Sequence, residues 1–116
     1  MGTPDPREFL PLAASQLHVL VALSAGELHG YAIMQAVESS SDGLVKIGPA
    51  TVYGTLKRLV DEGLVEEVAK PFSPGEDTRR RYYRLTGLGG RVCAAEAERL
   101  ATVVKFARAH LKPGLA

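Results

Sequence analysis

The chain has 116 residues, a formal net charge of +1, 46% hydrophobic and 23% charged residues, a single Cys, and neither Trp nor Asn. That length holds one globular domain, and the composition supports a packed core rather than a disordered chain. Residues 17–25 (LHVLVALSA) are a mainly apolar stretch that contains His18, but they fall well short of the roughly 20 residues that cross a bilayer. Residues 1–8 lack the basic and cleavage features of a secretory signal, so a cytoplasmic protein with no membrane partner is expected. Cys93 has no second Cys with which to close an internal disulfide, in keeping with a reducing compartment. His18, His29 and His110 lie far apart without metal-ligand spacing, so neither a metal nor a cofactor is expected.

The near-neutral total conceals an asymmetry. Residues 1–78 carry five Lys/Arg against eleven Asp/Glu, a balance of −6, whereas residues 79–116 carry nine Lys/Arg against two Glu, a balance of +7. A locally basic surface facing an acidic partner fits this division, as do two ordinary solvated faces.

In chain order, residues 8–24 read as a first helix, with Leu10, Leu17, Leu20, Val21 and Ser24 at helical spacing and Pro11 in its first turn. Its surface is more apolar than one small domain covers. A second helix runs over residues 29–40, with Tyr31, Ile33, Met34 and Val37 apolar; it stops in Ser-Ser-Ser-Asp-Gly, where Gly43 can take a left-handed conformation. A third begins at Gly48-Pro49 and ends at Glu62 before Gly63. On it Val52, Leu56, Leu59 and Val60 form an apolar stripe, while Thr51, Gly54, Arg58, Asp61 and Glu62 lie opposite, with Tyr53 at the stripe's edge.

Residues 64–70 and 80–85 are rich in strand formers, and the segment between them contains two Pro and a Gly; a β-hairpin with a long tip follows. Its returning strand opens on Arg79, Arg80 and Arg81. Thr86 caps a last helix reaching about Leu111, some 37 Å long at 1.5 Å per residue. Cys93, Ala97, Leu100, Val104, Ala107 and Leu111 repeat at the a/d spacing of a coiled-coil seam. A helix of that length exceeds what one small domain needs, so part of it packs outside its own subunit.

The expected fold is therefore mainly α with a β-hairpin: a winged helix-turn-helix over residues 1–86, followed by a dimerisation helix over residues 87–116. A helix exposing small polar residues fits a DNA major groove, and a basic tip reaches phosphates or the adjacent minor groove. Winged domains also serve as protein-interaction modules without sequence-specific DNA binding. No nucleophile–base pair, paired acidic motif, phosphate loop or metal spacing stands in the chain, so it is not read as an enzyme.

Four segments carry a family resemblance: Leu28-His29-Gly30-Tyr31, residues 48–59 (GPATVYGTLKRL), Asp61-Glu62-Gly63-Leu64-Val65, and residues 81–89 (RYYRLTGLG). Together, over about residues 12–92, they resemble the PadR family of bacterial transcriptional regulators, in its short form with one C-terminal dimerisation helix. Ala50 stands where many members have Gly. The resemblance implies a homodimeric winged-helix repressor that binds double-stranded operator DNA near its own or a neighbouring gene and is released by a small molecule, often aromatic.

It further implies that Pro49, Ala50, Thr51, Tyr53, Lys57 and Arg58 lie on the recognition helix, where Gly54 lets the backbone approach closely. Thr51 suits a phosphate or a thymine methyl, and Lys57 and Arg58 suit phosphates or a guanine edge. Tyr31 matches a position near the DNA backbone; it also reads as a core residue with its hydroxyl at the rim, and Tyr53 as partly core. Arg79, Arg80 and Arg81 are the wing contacts, with Arg79 and Arg80 preferred because alternation places Arg81 beside the inward-facing Tyr83 and Leu85. The two Gln residues, Gln16 and Gln35, fall outside the recognition helix. Without Asn there, specificity is expected from few direct contacts, DNA shape and dimer spacing.

The dimer interface is assigned to Leu17 and Leu20 of the first helix and to the seam Cys93, Ala97, Leu100, Val104, Ala107 and Leu111. An effector pocket beside these helices would be lined by Phe9 and Phe106, for which core or interface packing is the competing reading. Cys93 reads as a small apolar seam residue or an oxidation sensor.

Overall fold

The structure, a computed structural model, describes residues 4–69 and 81–111. A 3₁₀ turn, Pro6–Phe9, precedes α1 (Ala14–Leu23), β1 (Leu28–His29), α2 (Gly30–Ser40), α3 (Pro49–Asp61), β2 (Val65–Val68), β3 (Tyr82–Leu85) and α4 (Gly87–His110). The strands form one antiparallel sheet in the order β1-β3-β2, with Leu28 opposite Tyr83 and Val65 opposite Leu85. The winged helix-turn-helix with a long final helix is present, and the hairpin gains a third strand.

The first helix is shorter than its spacing suggests. Pro11 has no N–H to give and pushes the residue before it out of the helical region, so Leu10 is extended (φ −95°, ψ 149°); the Leu10–Pro11 bond is cis. The helical run therefore starts afresh at Ala14, and Leu10 belongs to the approach segment. The β1 strand spans two residues, too few for any alternation to register. His29 then caps α2, its Nδ1 accepting from the Ala32 N–H at 3.2 Å, and its ring meets Tyr82 edge-on at 5.5 Å.

The core gathers Val19, Leu20, Ala22 and Leu23 of α1, Ile33 and Val37 of α2, Val52, Leu56 and Leu59 of α3, then Leu64, Val65, Tyr83 and Val92. Consecutive buried residues on α1 reflect its contacts with α2, α3 and α4. Leu20 is 0% exposed within the protomer, so the expectation that it meets a second subunit is corrected: it is a core residue. Leu17 remains half-buried. Val60, expected in the stripe of α3, is exposed, because at 100° per residue it sits at the stripe's margin.

Gly63 (φ +78°) ends α3 with paired bonds, Gly63 N–H to Val60 O at 3.0 Å and Leu64 N–H to Leu59 O at 2.9 Å. This left-handed glycine stop turns the chain directly into β2. Gly43 is likewise left-handed, at φ +76°.

The first turns of α4 pack on this core through Gly89, Val92 and Glu96. Glu96 is 1% exposed. Its carboxylate accepts from the Leu12 N–H at 2.8 Å and from two guanidinium nitrogens of Arg99, so it pins the approach segment to α4. Beyond it the helix leaves the core, and Val103, Val104, Phe106 and Leu111 are exposed. The radius of gyration, 16.2 Å, exceeds the roughly 13 Å of a compact domain of this size, which reflects the projecting helix.

The Arg99 guanidinium holds the Glu96 carboxyl below its ordinary value, helped by the Leu12 N–H and opposed by burial. A depressed carboxylate contributes stability that is complete above its unfolded pKa and lost as pH falls through its folded pKa. Thermal melts across the acid range are expected to show this decline, and Glu96→Gln should flatten it while lowering stability at neutral pH. An acid limb identical in the two proteins would remove Glu96 as its source. Glu96→Ala, which leaves the Leu12 N–H without its acceptor, should cost roughly 1–3 kcal/mol.

Candidate nucleic-acid interface

The α3 helix is positioned by its buried stripe, which turns the opposite face outward. Gly48 is the extended N-cap and Pro49 the first helical residue, where the missing N–H is an orphan donor in any case. Pro49, Ala50, Thr51, Tyr53, Gly54, Lys57 and Arg58 are all exposed; Tyr53 and Lys57 line the sheet side of α3, and Ala50, Thr51, Gly54 and Arg58 line the α1 side. Gly54 has no atom within 4 Å of the place a Cβ would occupy, leaving the backbone open to a close ligand. Arg58 is exposed and pairs with Glu62 one turn on, at 3.3 Å.

Tyr53 lies across the start of α2, its phenol against Gly30, where any Cβ would collide with the ring. It is half-exposed, a partner of the fold on one edge and of solvent on the other. Tyr31 is 60% exposed; the core reading is corrected, because Ile33 and Val37 occupy the buried face of α2 and Tyr31 falls outside it.

Two grooves flank α3. On one side Tyr53, Lys57, Val60 and Asp61 face Glu67, Arg81 and Tyr83 of the sheet. On the other, Ser15 and Gln16 of α1 face Thr51, Gly54, Thr55 and Arg58. Neither Ser15 nor Gln16 was singled out for this surface from sequence; separation along the chain hides the neighbourhood.

The sheet consumes part of the basic charge. Arg84 bonds Glu66 across the strand pair at 2.6 Å and reaches Glu27 at 3.5 Å, and these carboxylates raise its pKa. Arg81 approaches Glu67 diagonally at 3.6 Å. Burial, with Glu67 adding to it, pushes the Tyr83 phenol up and keeps it neutral. Arg79 and Arg80 lie outside the described residues, as does the hairpin tip.

The two residues expected to line an effector pocket between the helices of a dimer lie in different surroundings within the protomer. Phe9 packs half-buried against the core, whereas Phe106 is 69% exposed and stacks on His110 with ring centroids 4.3 Å apart. The groove that does lie between the 3₁₀ turn and α4 is lined by Arg7, Leu10, Ala95, Glu98, Arg99 and Thr102. Cys93 is half-buried and burial pushes its thiol up, which suits packing and disfavours the reactive thiolate. Among the described residues no group of three or more His, Cys, Asp or Glu could hold a metal ion, and no helix is long and apolar enough to cross a membrane.

The model of the Transcriptional regulator PadR-like family matches residues 19–95. An uncharacterized 37.1 kDa protein in transposon TN4556 of Streptomyces fradiae is 38% identical over 87 residues, covering 75% of this chain. The chain spans only 23% of that relative's length. A transcriptional regulator from Clostridium thermocellum superposes with a TM-score of 0.68 at 26% identity, covering 91% of this chain and 93% of that one. The PcaV transcriptional regulator of Streptomyces coelicolor, solved with its natural ligand, gives 0.70 at 27% identity, covering 90% and 66%. For the fold alone, a PadR family transcription regulator from Clostridium difficile gives 0.71 at 21% identity, covering 86% and 100%.

Lys57→Ala removes a cation from an exposed helix face, so thermal stability should stay within about 0.5 kcal/mol of the parent. Affinity for duplex DNA should fall, and the slope of log affinity against log salt should become shallower by about 0.9. Fluorescence anisotropy over a salt series measures both; an unchanged slope takes Lys57 off the interface.

Proposed function

Because the chain belongs to the PadR-like family of transcriptional regulators, we propose that it acts as a homodimeric repressor whose α3 helices enter successive major grooves of an operator near its own or a neighbouring gene. The observation that carries this reading is the exposed face of α3, small at Ala50, Thr51 and Gly54 and cationic at Lys57 and Arg58. A face of this kind admits close approach to base edges and supplies donors for phosphates. Tyr53 on α3 and Tyr31 on α2 are assigned to the same contact surface, and Arg79 and Arg80, with Arg81, to the wing. The bases are read by few direct contacts, assisted by DNA shape and by the spacing of half-sites.

Dimerisation is assigned to the projecting half of α4. Leu111 is 66% exposed, and Val103, Val104 and Phe106 are exposed with it; an apolar surface of this extent on one helix is stabilised by covering it. The interface set is then Leu17 of α1 with Cys93, Ala97, Leu100, Val104, Ala107 and Leu111, joined by Val103 and Phe106. Residues 1–86 contact DNA and residues 87–116 hold the subunits together, while the first turns of α4 also seal the winged core.

Release is assigned to a small aromatic effector in the groove between the 3₁₀ turn and α4. Its volume of about 440 Å³ lies in the range of small-molecule sites. PcaV offers the parallel of a regulator holding a natural ligand. Leu10 and Ala95 supply apolar contact, and Arg7 and Arg99, paired with Asp5 and Glu96, line the groove together with Glu98 and Thr102.

Sedimentation velocity tests the assembly: the parent is expected to be a dimer at micromolar concentration, and Val104→Glu with Leu111→Glu a folded monomer. A monomeric parent would contradict the proposal. Gel-shift titration of the DNA flanking the gene, with and without aromatic acids, tests the regulation. Binding that is lost on adding one such acid is the expected result; absence of any salt-dependent binding would leave the protein-interaction module as the better description.

A further inference from the structure

An α-helix about 10–12 Å across nearly fills a major groove about 12 Å wide, so the two sugar–phosphate strands must pass along the flanks of α3. Those flanks differ in chemistry. The sheet-side groove mixes Lys57 and Arg81 with the carboxylates of Asp61 and Glu67. The groove on the α1 side is lined by Ser15, Gln16, Thr51, Thr55 and Arg58 together with Ala13, Ala50 and Gly54, with no carboxylate among its lining residues.

Gln16 is held in a defined orientation within that groove. It is the third residue of α1, and its side chain reaches back to accept the Ala13 N–H at 3.2 Å. An N–H can only donate, so the atom it meets is the carboxamide oxygen, Oε1. The Nε2 amide is thereby left as a donor with no protein partner among the described residues. Ala13 has no side-chain oxygen to complete a reciprocal cap, so the orientation of Gln16 rests on this one bond. With Oε1 turned to the Ala13 N–H, the Nε2 hydrogens form the unengaged edge of the amide, which suits a phosphate oxygen.

We propose that the α1 flank of α3 is a phosphate-binding surface in which Gln16 Nε2 donates to a DNA backbone oxygen, beside the hydroxyls of Ser15, Thr51 and Thr55, while Arg58 exchanges Glu62 for the same strand. The inference rests on the DNA-binding reading and adds α1 to the contact surface. Because it concerns phosphate, it holds on any sequence, and the Gln16 contact releases no counterion of its own.

Gln16→Glu is the discriminating variant. A carboxylate oxygen at this position still accepts the Ala13 N–H, and Glu is the residue that caps use there, so the fold is retained while the donor becomes an anion. With a mixed-sequence duplex as probe, Gln16→Glu is expected to bind roughly tenfold more weakly at low salt, the deficit narrowing as salt screens the repulsion. Gln16→Ala should bind about three- to tenfold more weakly with the salt slope of the parent. Melting curves establish that both are folded. If both variants bind as the parent does while Arg58→Ala is weakened, DNA binding stands and the α1 flank is refuted; if the parent itself does not bind the duplex, both readings fall.

Discussion

The geometry of the molecule depends on a close contact at the base of the hairpin. The Leu64 carbonyl accepts the Thr86 N–H at 3.1 Å, and Gly89 presses against the same carbonyl where a Cβ could not be placed. Thr86 completes the junction: its hydroxyl donates to Gly63 O at 2.6 Å and accepts the Gly89 N–H at 3.0 Å. These bonds join the end of α3, the start of β2 and the start of α4 within a few residues. A close-packed contact of this kind tolerates little change in volume, so the direction in which α4 leaves is set relative to α3. In a dimer built on α4, that direction determines how far apart the two recognition helices stand.

Charge is distributed by the same logic of fixed and free partners. Of the cations that make the C-terminal third basic, Arg84 is engaged by Glu66 and Glu27, Arg99 by Glu96, and Arg81 by Glu67. A sum over sequence therefore overstates the positive surface available to DNA. The Arg99–Glu96 pair in particular serves cohesion, because Glu96 also holds the Leu12 N–H and so fastens the N-terminal approach to α4. On the α3 face Lys57 and Arg58 are both exposed, Arg58 beside Glu62 at 3.3 Å, and the open backbone of Gly54 lies between them and the start of the helix.

Much of the fold was legible because its signals are local. Pro49 and Gly63 punctuate α3, Thr86 caps α4, and the apolar spacing of α2 and α4 needs no knowledge of distant residues. The rest depended on contacts that spacing does not encode. Leu20 lies at a helical position that fits a dimer face or a core equally well, and only the packing of α1 against three helices decides. Glu96 reads as a surface acid until Leu12, 84 residues earlier, supplies its buried donor. Leu10 matched the period of the first helix, yet Pro11 forbade the continuation. Of the candidate site, the face of α3 was visible in its sequence, whereas the place of Gln16 beside it was not.

The proposed two-fold reading of duplex DNA rests on the close-packed junction, the uncovered end of α4 and the donor-bearing face of α3. The most direct measurement of that geometry is a hydroxyl-radical footprint of the full chain on the DNA flanking its gene. Two protected tracts on one face of the duplex, their centres about 10–10.5 base pairs or a multiple of that apart, are the predicted result. A single protected tract, or uniform protection without helical phase, would contradict it.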